Sequence, residues 1–245
     1  MSSPLKDRIA LVTGASRGIG RATALGLARA GAHVIATASN QGALEELDDE
    51  IAAAAGAPAT LVPLDLKDGN GVDRLGAAIH ERWGRLDVLV GNAAVLGPLS
   101  PVSHLDVKDW AKVLAVNLTA NWRLLRSMDP LLRASDAGRA VFLTSGVARA
   151  PRAFWGAYAV SKAGLEALVA TYADEVDHTP IRTALVNPGA TRTRMRAEAF
   201  PGEDPETLPT PEQVAALVVE MARPDREPPR GVVSYRDWTA STAPA

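Results

Sequence analysis

The sequence contains no cysteine. That excludes disulfides, thiolate nucleophiles, iron–sulfur clusters and cysteine-based zinc sites, and it suits a reducing compartment. Histidine is scarce as well. His33, His80, His104 and His178 are the four present, far apart and without the spacing of metal ligands, so no metal site is expected. No apolar run approaches the ~20 residues that span a bilayer. Met1–Asp7 is polar and leads straight into an apolar run, unlike a signal peptide. Neither sign of charge dominates: 26 Lys and Arg stand against 28 Asp and Glu, a net charge of −2. Bulk charge therefore gives no case for a nucleic-acid or membrane partner. A cytoplasmic protein is expected.

What is present is ordinary for a folded domain: 47% hydrophobic and 22% charged residues in a chain of 245. Short apolar runs alternate with longer Ala- and Leu-rich stretches of helical length. The runs are Ile9–Thr13, Val34–Thr37, Thr60–Leu64, Val88–Val90, Ala140–Thr144 and Arg182–Val186, with a last one at Gly231–Tyr235. Most are free of charge, as strands buried on both faces should be. The alternation predicts an α/β fold: one doubly wound Rossmann-type domain over residues 1–245, with about seven parallel strands and helices on both faces. Two segments read as irregular. Gly189–Pro211 is rich in proline and charge, and Ser241–Ala245 is small, polar and expected to fray.

Thr13-Gly14-Ala15-Ser16-Arg17-Gly18-Ile19-Gly20 follows the first run and opens a helical stretch. Glycines there permit a tight turn and close backbone approach to a pyrophosphate at the positive end of a helix. The second run ends in Thr37-Ala38-Ser39-Asn40, without the acid that would bind an NAD ribose. Arg17 can pair with a 2′-phosphate, and Ser39 and Asn40 can donate to it. The expected cofactor is NADP(H), with NAD as the alternative. Tyr158 and Lys162 stand four apart in a helix-compatible stretch, hence on one face. An ammonium beside a phenol stabilises the phenolate. Ionising a tyrosine at pH 7 needs a drop of about 3 pK units, roughly 4 kcal/mol.

Taken together these motifs strongly resemble the short-chain dehydrogenase/reductase family, and the resemblance covers nearly the whole chain. Thr13–Gly20 is similar to its cofactor turn. Asp65, in Pro63-Leu64-Asp65-Leu66, matches the residue that meets the adenine. Gly91-Asn92-Ala93-Ala94 resembles the Asn-Asn-Ala-Gly stretch, with Gly91 and Ala94 as departures. Asn117, Ser145, Tyr158 and Lys162 match the catalytic tetrad. Asn187–Thr193, with Pro188, Gly189, Thr191 and Thr193, resembles the segment that closes on the nicotinamide. The C-terminal run lacks the usual Asp-Gly-Gly. Phe154–Tyr158 and Gly189–Pro205 resemble the bacterial YciK-like branch.

The resemblance implies hydride transfer between a carbonyl and an alcohol, with Tyr158 as general acid and base. Lys162 would hold the nicotinamide ribose and depress the tyrosine pKa. Ser145 would hold the substrate oxygen, and Asn117 would bind a water linking Lys162 to solvent. The substrate would be a small carbonyl compound or alcohol, held under a lid at about 189–211. Trp155, Leu96 and Val147 are candidates for its walls. Arg192, Arg194 and Arg196 would clamp an acidic substrate, meet cofactor phosphates or stand solvated. Apolar surface around Trp110, Trp122 and Leu114–Leu125, with Leu165, Leu168 and Val169, suggests a subunit interface or plain core. The family implies a homotetramer or a dimer. A catalytically silent NADP(H) sensor or scaffold is the competing reading. An enoyl reductase, which spaces its tyrosine and lysine differently, ranks third.

Overall fold

The computed structural model describes residues 3–242. Seven parallel strands form one sheet: β1 (Ile9–Thr13), β2 (His33–Ala38), β3 (Thr60–Pro63), β4 (Val88–Gly91), β5 (Arg139–Leu143), β6 (Arg182–Asn187) and β7 (Val232–Ser234). They lie in the order β3-β2-β1-β4-β5-β6-β7. The chain starts mid-sheet, winds outward to β3, then returns beside β1 to build the other half. Each apolar run singled out in the sequence is a strand, with every end matching to within one residue.

The side-chain alternation of the strands sorts the core onto two faces. Ala10 and Val12 of β1 pack with Leu27 of α1 (Gly18–Arg29), Leu44 and Leu47 of α2 (Gln41–Ala55), and Leu217 and Val218 of α8 (Pro211–Met221). Ile9 and Leu11 face the other way. They join Val72 and Leu75 of α3 (Gly69–Trp83), Leu124 and Met128 of α5 (Ala120–Arg133), and Leu165 and Val169 of α6 (Gly156–Glu175). Leu165 and Val169 are thus core. Trp122, by contrast, is exposed, as are Val107 of α4 (Val107–Leu114) and Val160. Among the described residues, no helix is long and apolar enough to cross a membrane.

Polar stitches close the bottom of the sheet. The buried Asp87 carboxylate accepts from Ile9 N at 2.8 Å, Ser135 Oγ at 2.6 Å, Arg8 at 3.2 Å and Arg85 at 3.2 Å. Arg139 is buried in β5. Its guanidinium donates to the carbonyls of Gly138, Arg223, Pro224 and Arg226 at 2.7–3.0 Å. At the far end α9 (Tyr235–Thr242) takes in Ser241 and Thr242, the first two residues of the segment expected to fray. Tyr235 and Trp238 pack on the core, and the Ser241 and Thr242 hydroxyls bond back to the Trp238 carbonyl. The rest of that segment, residues 243–245, and Met1–Ser2 of the N-terminal reading lie outside the described residues.

Candidate active site

Strand order reverses between β1 and β4, so the connections leaving their C-terminal ends diverge and open a crevice. A cleft of about 750 Å³ lies there. The predicted turn forms one wall. Gly14 (φ +65°) and Gly18 (φ +55°) adopt the left-handed backbone that glycine tolerates. A Cβ on Gly14 would stand 2.9 Å from Ala93 Cα. Ser16, Arg17 and Ile19 complete this wall. Gly20 is a correction: it does not line the cleft but lies beneath the turn. A Cβ there would fall 2.3 Å from both Asn92 Nδ2 and the Gly14 carbonyl. Its lack of a side chain serves packing.

Ser39, Asp65, Leu66, Asn92, Ala93 and Ala94, expected to bind the cofactor, also line the cleft. Their polar groups are differently committed. Asn92 donates its amide to the carbonyls of Thr13 at 2.8 Å and Gly14 at 3.3 Å, clasping the turn. Asn40 caps α2 by accepting from Ala43 N. Asp65 accepts from Lys67 N and pairs with Lys67 Nζ at 3.1 Å, and these bonds hold its pKa below the ordinary value. Gly91 has its explanation too: a Cβ there would meet the Phe142 ring at 2.3 Å.

Tyr158 and Lys162 sit one turn apart on α6, 8% and 2% exposed, at the floor of the cleft. The Lys162 ammonium donates to the Leu143 carbonyl at 2.7 Å and lies 5.9 Å from the centre of the Tyr158 ring. Burial lowers the Lys162 pKa to about 8. Burial also pushes Tyr158 up to about 12, while a hydrogen bond with Ser145 pulls it down. Desolvation of a phenolate outweighs the neighbouring stabilisation.

Asn117 lies in a π-helical turn, Ala115–Thr119, between α4 and α5. It is fully buried and does not line the cleft. Its amide accepts from Val95 N at 2.8 Å and donates to Val95 O at 2.9 Å and Ser161 Oγ at 3.0 Å. Ser161 in turn donates to the Tyr158 carbonyl at 2.8 Å. The Asn117 side chain thus ties the cleft wall to α6, and its amide oxygen keeps one lone pair beyond these bonds. Ser161 carries no local signal, because its importance lies in a bond to a residue 44 positions away.

Pro188, Gly189, Thr191 and Thr193 line the cleft after β6. Thr193 caps α7 (Arg194–Ala199) and packs its methyl against Gly18; a Cβ there would be 3.4 Å away. Leu96, Val147, Tyr158 and Ala159 form a buried cluster with Trp155, Met195 and Ala199 against it. The three arginines do not converge as a clamp. Arg192 pairs with Glu206, Arg194 with Glu198 and Arg196 with Glu203, and Arg192 stands off the cleft. Lining residues that sequence reasoning missed include Thr37, Lys67, Lys112, Val116 and Met195. Among the described residues, no cluster of potential metal ligands occurs.

Residues 8–204 match the family described as short chain dehydrogenase. The chain is 41% identical over 223 residues to the uncharacterised oxidoreductase YciK of Escherichia coli, covering 90% of this chain and 88% of that protein. A short chain dehydrogenase from Shigella flexneri, solved in complex with NADP, superposes with a TM-score of 0.92 at 38% identity, covering 96% and 100% of the two chains. One from Escherichia coli in complex with NADPH gives 0.92 at 39%, covering 96% and 99%. The chain belongs to the short-chain dehydrogenase/reductase family and is an NAD(P)-dependent oxidoreductase of that class.

The cleft fits such a dinucleotide. No side chain caps the first turn of α1 and no acid lies in it, so its amides are open to an anion. The Arg17 side chain makes no hydrogen bond or ion pair among the described residues, and the buried Thr37 hydroxyl, which also belongs to the cleft lining, has no partner either.

Proposed function

We propose that this protein interconverts a ketone or aldehyde and the corresponding alcohol with NADP(H), Tyr158 serving as general acid and base. The observation that carries this reading is the buried Tyr158–Lys162 pair, which lines the dinucleotide cleft together with Ser145. The bound dinucleotide supplies the hydride in reduction and takes it up in oxidation. With its pKa near 12, Tyr158 is a neutral phenol at neutral pH and has a proton to donate to a carbonyl oxygen. Ser145 holds that oxygen and steadies the charge that develops on it. As the phenolate forms, the Lys162 ammonium 5.9 Å from the ring stabilises it.

Arg17 and Ser39 would hold the 2′-phosphate, the α1 amides and Gly14–Ile19 the pyrophosphate, and Asp65, Leu66 and Ala93 the adenine side. Lys162 would hold the nicotinamide ribose, with Asn92, Ala94, Pro188, Gly189, Thr191 and Thr193 around it. The missing acid after β2 and the NADP(H)-bound relatives support NADP(H) over NAD. Residues 189–211 would act as the lid. Exposed Val107, Trp122 and Val160 support a homodimer or homotetramer, and the cysteine-free composition supports a cytoplasmic location.

The test is titration with NADPH and NADH, then a carbonyl panel read by NADPH consumption. Turnover is expected from the native chain and none from Tyr158→Phe, with NADPH affinity retained. Turnover unchanged in Tyr158→Phe would refute the mechanism. Tight NADPH binding without turnover of any carbonyl would favour the silent sensor.

A further inference from the structure

The substrate end of the cleft has an apolar wall and cations that are already matched. Trp155 stands edge-on to Tyr158 with centroids 5.9 Å apart, and Phe200 lies against Trp155 at 5.8 Å. Arg196 caps this series, its guanidinium carbon 3.8 Å from the Phe200 ring centre. The Trp155 pose is built in. Phe154 takes φ +73°, a conformation uncommon for a bulky residue, and its carbonyl is held by Ser100 N at 3.0 Å. A flat or ring-sized apolar group fits beside such a wall.

Charge is handled separately. Arg196 lines the cleft, and Glu203 grips it through two bonds of 2.5 and 2.6 Å. Bidentate pairs of this kind are the strong ones, and both members are about three-quarters shielded from solvent, with 24% and 28% exposure. Arg194, also at the cleft, is paired with Glu198 at 2.9 Å. A substrate carboxylate approaching Arg196 would meet the Glu203 carboxylate beside it, and like charges at that range repel.

We infer that the substrate is a neutral carbonyl compound with an apolar, ring-sized flank, and that Glu203 enforces this choice by masking Arg196. The inference rests on the proposed carbonyl reduction. Trp155 and Glu203 are specificity determinants in it; neither takes part in proton transfer.

The experiment compares benzaldehyde with 4-carboxybenzaldehyde on the same enzyme preparation, so that the ratio of kcat/KM values is insensitive to the fraction of folded protein. The native chain is expected to prefer benzaldehyde by about tenfold or more. Glu203→Gln should shrink that preference about tenfold, mainly through a lower KM for the carboxylate compound. The double variant Arg196→Met/Glu203→Gln should lose the gain. Trp155→Ala should lower kcat/KM for benzaldehyde about tenfold and that for acetaldehyde much less. Preference of the native chain for the carboxylate compound, or an unchanged ratio in Glu203→Gln, would overturn the inference. Failure of every carbonyl with the native chain would instead overturn the proposed reaction on which it rests.

Discussion

Replacing Lys162 with Met should remove turnover while relieving the folded state of a burden. Lys162 is 2% exposed, and burial lowers its pKa from an ordinary 10.5 to about 8. That difference corresponds to about 3 kcal/mol of destabilisation wherever the lysine is charged in both states, which is below about pH 8. Between the folded and unfolded values the unfolded chain keeps its proton and the folded chain releases it. Native stability therefore rises with pH across that window, by about 2 kcal/mol between pH 8 and 9.5. Met fills a similar volume without a charge. It also leaves the Leu143 carbonyl, now bonded at 2.7 Å, without its donor, a loss of about 1–3 kcal/mol. Near pH 7 the variant should be roughly 1 kcal/mol the more stable. Near pH 9.5 the order should reverse by a similar margin. Tyr158, held near 12 against an ordinary 10, enters only above that window. Urea denaturation followed by tryptophan fluorescence at both pH values measures the difference, in which other titrations cancel. A variant-minus-native difference flat across the window to within about 0.5 kcal/mol would refute the burial argument.

Arg17→Ala should weaken NADPH by about tenfold or more and leave NADH nearly unchanged; equal losses in paired titrations would remove Arg17 from the phosphate site. Gly20→Ala should destabilise the fold by about 1–3 kcal/mol and weaken both dinucleotides together, since its Cβ would displace Asn92 and the Gly14 carbonyl. A native-like melting temperature would contradict that packing. Asp87→Ala should cost about 3–5 kcal/mol in urea denaturation, because Ile9 N, Ser135, Arg8 and Arg85 converge on that one buried carboxylate.

The strands were legible because a parallel sheet buried on both faces leaves uninterrupted apolar runs such as Val88–Val90, whatever packs on them. The glycine turn and the Tyr158–Lys162 step were legible because both are local: a turn needs its glycines, and a helix face fixes a four-residue spacing. Gly20 looked like Gly14 and Gly18 in the sequence. What separates it is Asn92, which arrives from the end of another strand. The Arg196–Glu203 pair was hidden similarly. Arg192, Arg194 and Arg196 left an anion clamp, phosphate contacts and solvation open, and what decides is the pairing with Glu198 one turn on and with Glu203 and Glu206 beyond the helix. The bonds of Asn117 to Val95 were not foreseeable from either segment alone.

Arg139 grips the loop before β7 by backbone carbonyls only. Those hydrogen bonds do not depend on which side chains the loop carries, while the Arg223 and Arg226 side chains hold the same segment separately through ion pairs with Glu220 and Asp225. The anchor of the final strand is thus written at a position more than eighty residues upstream of the loop it secures.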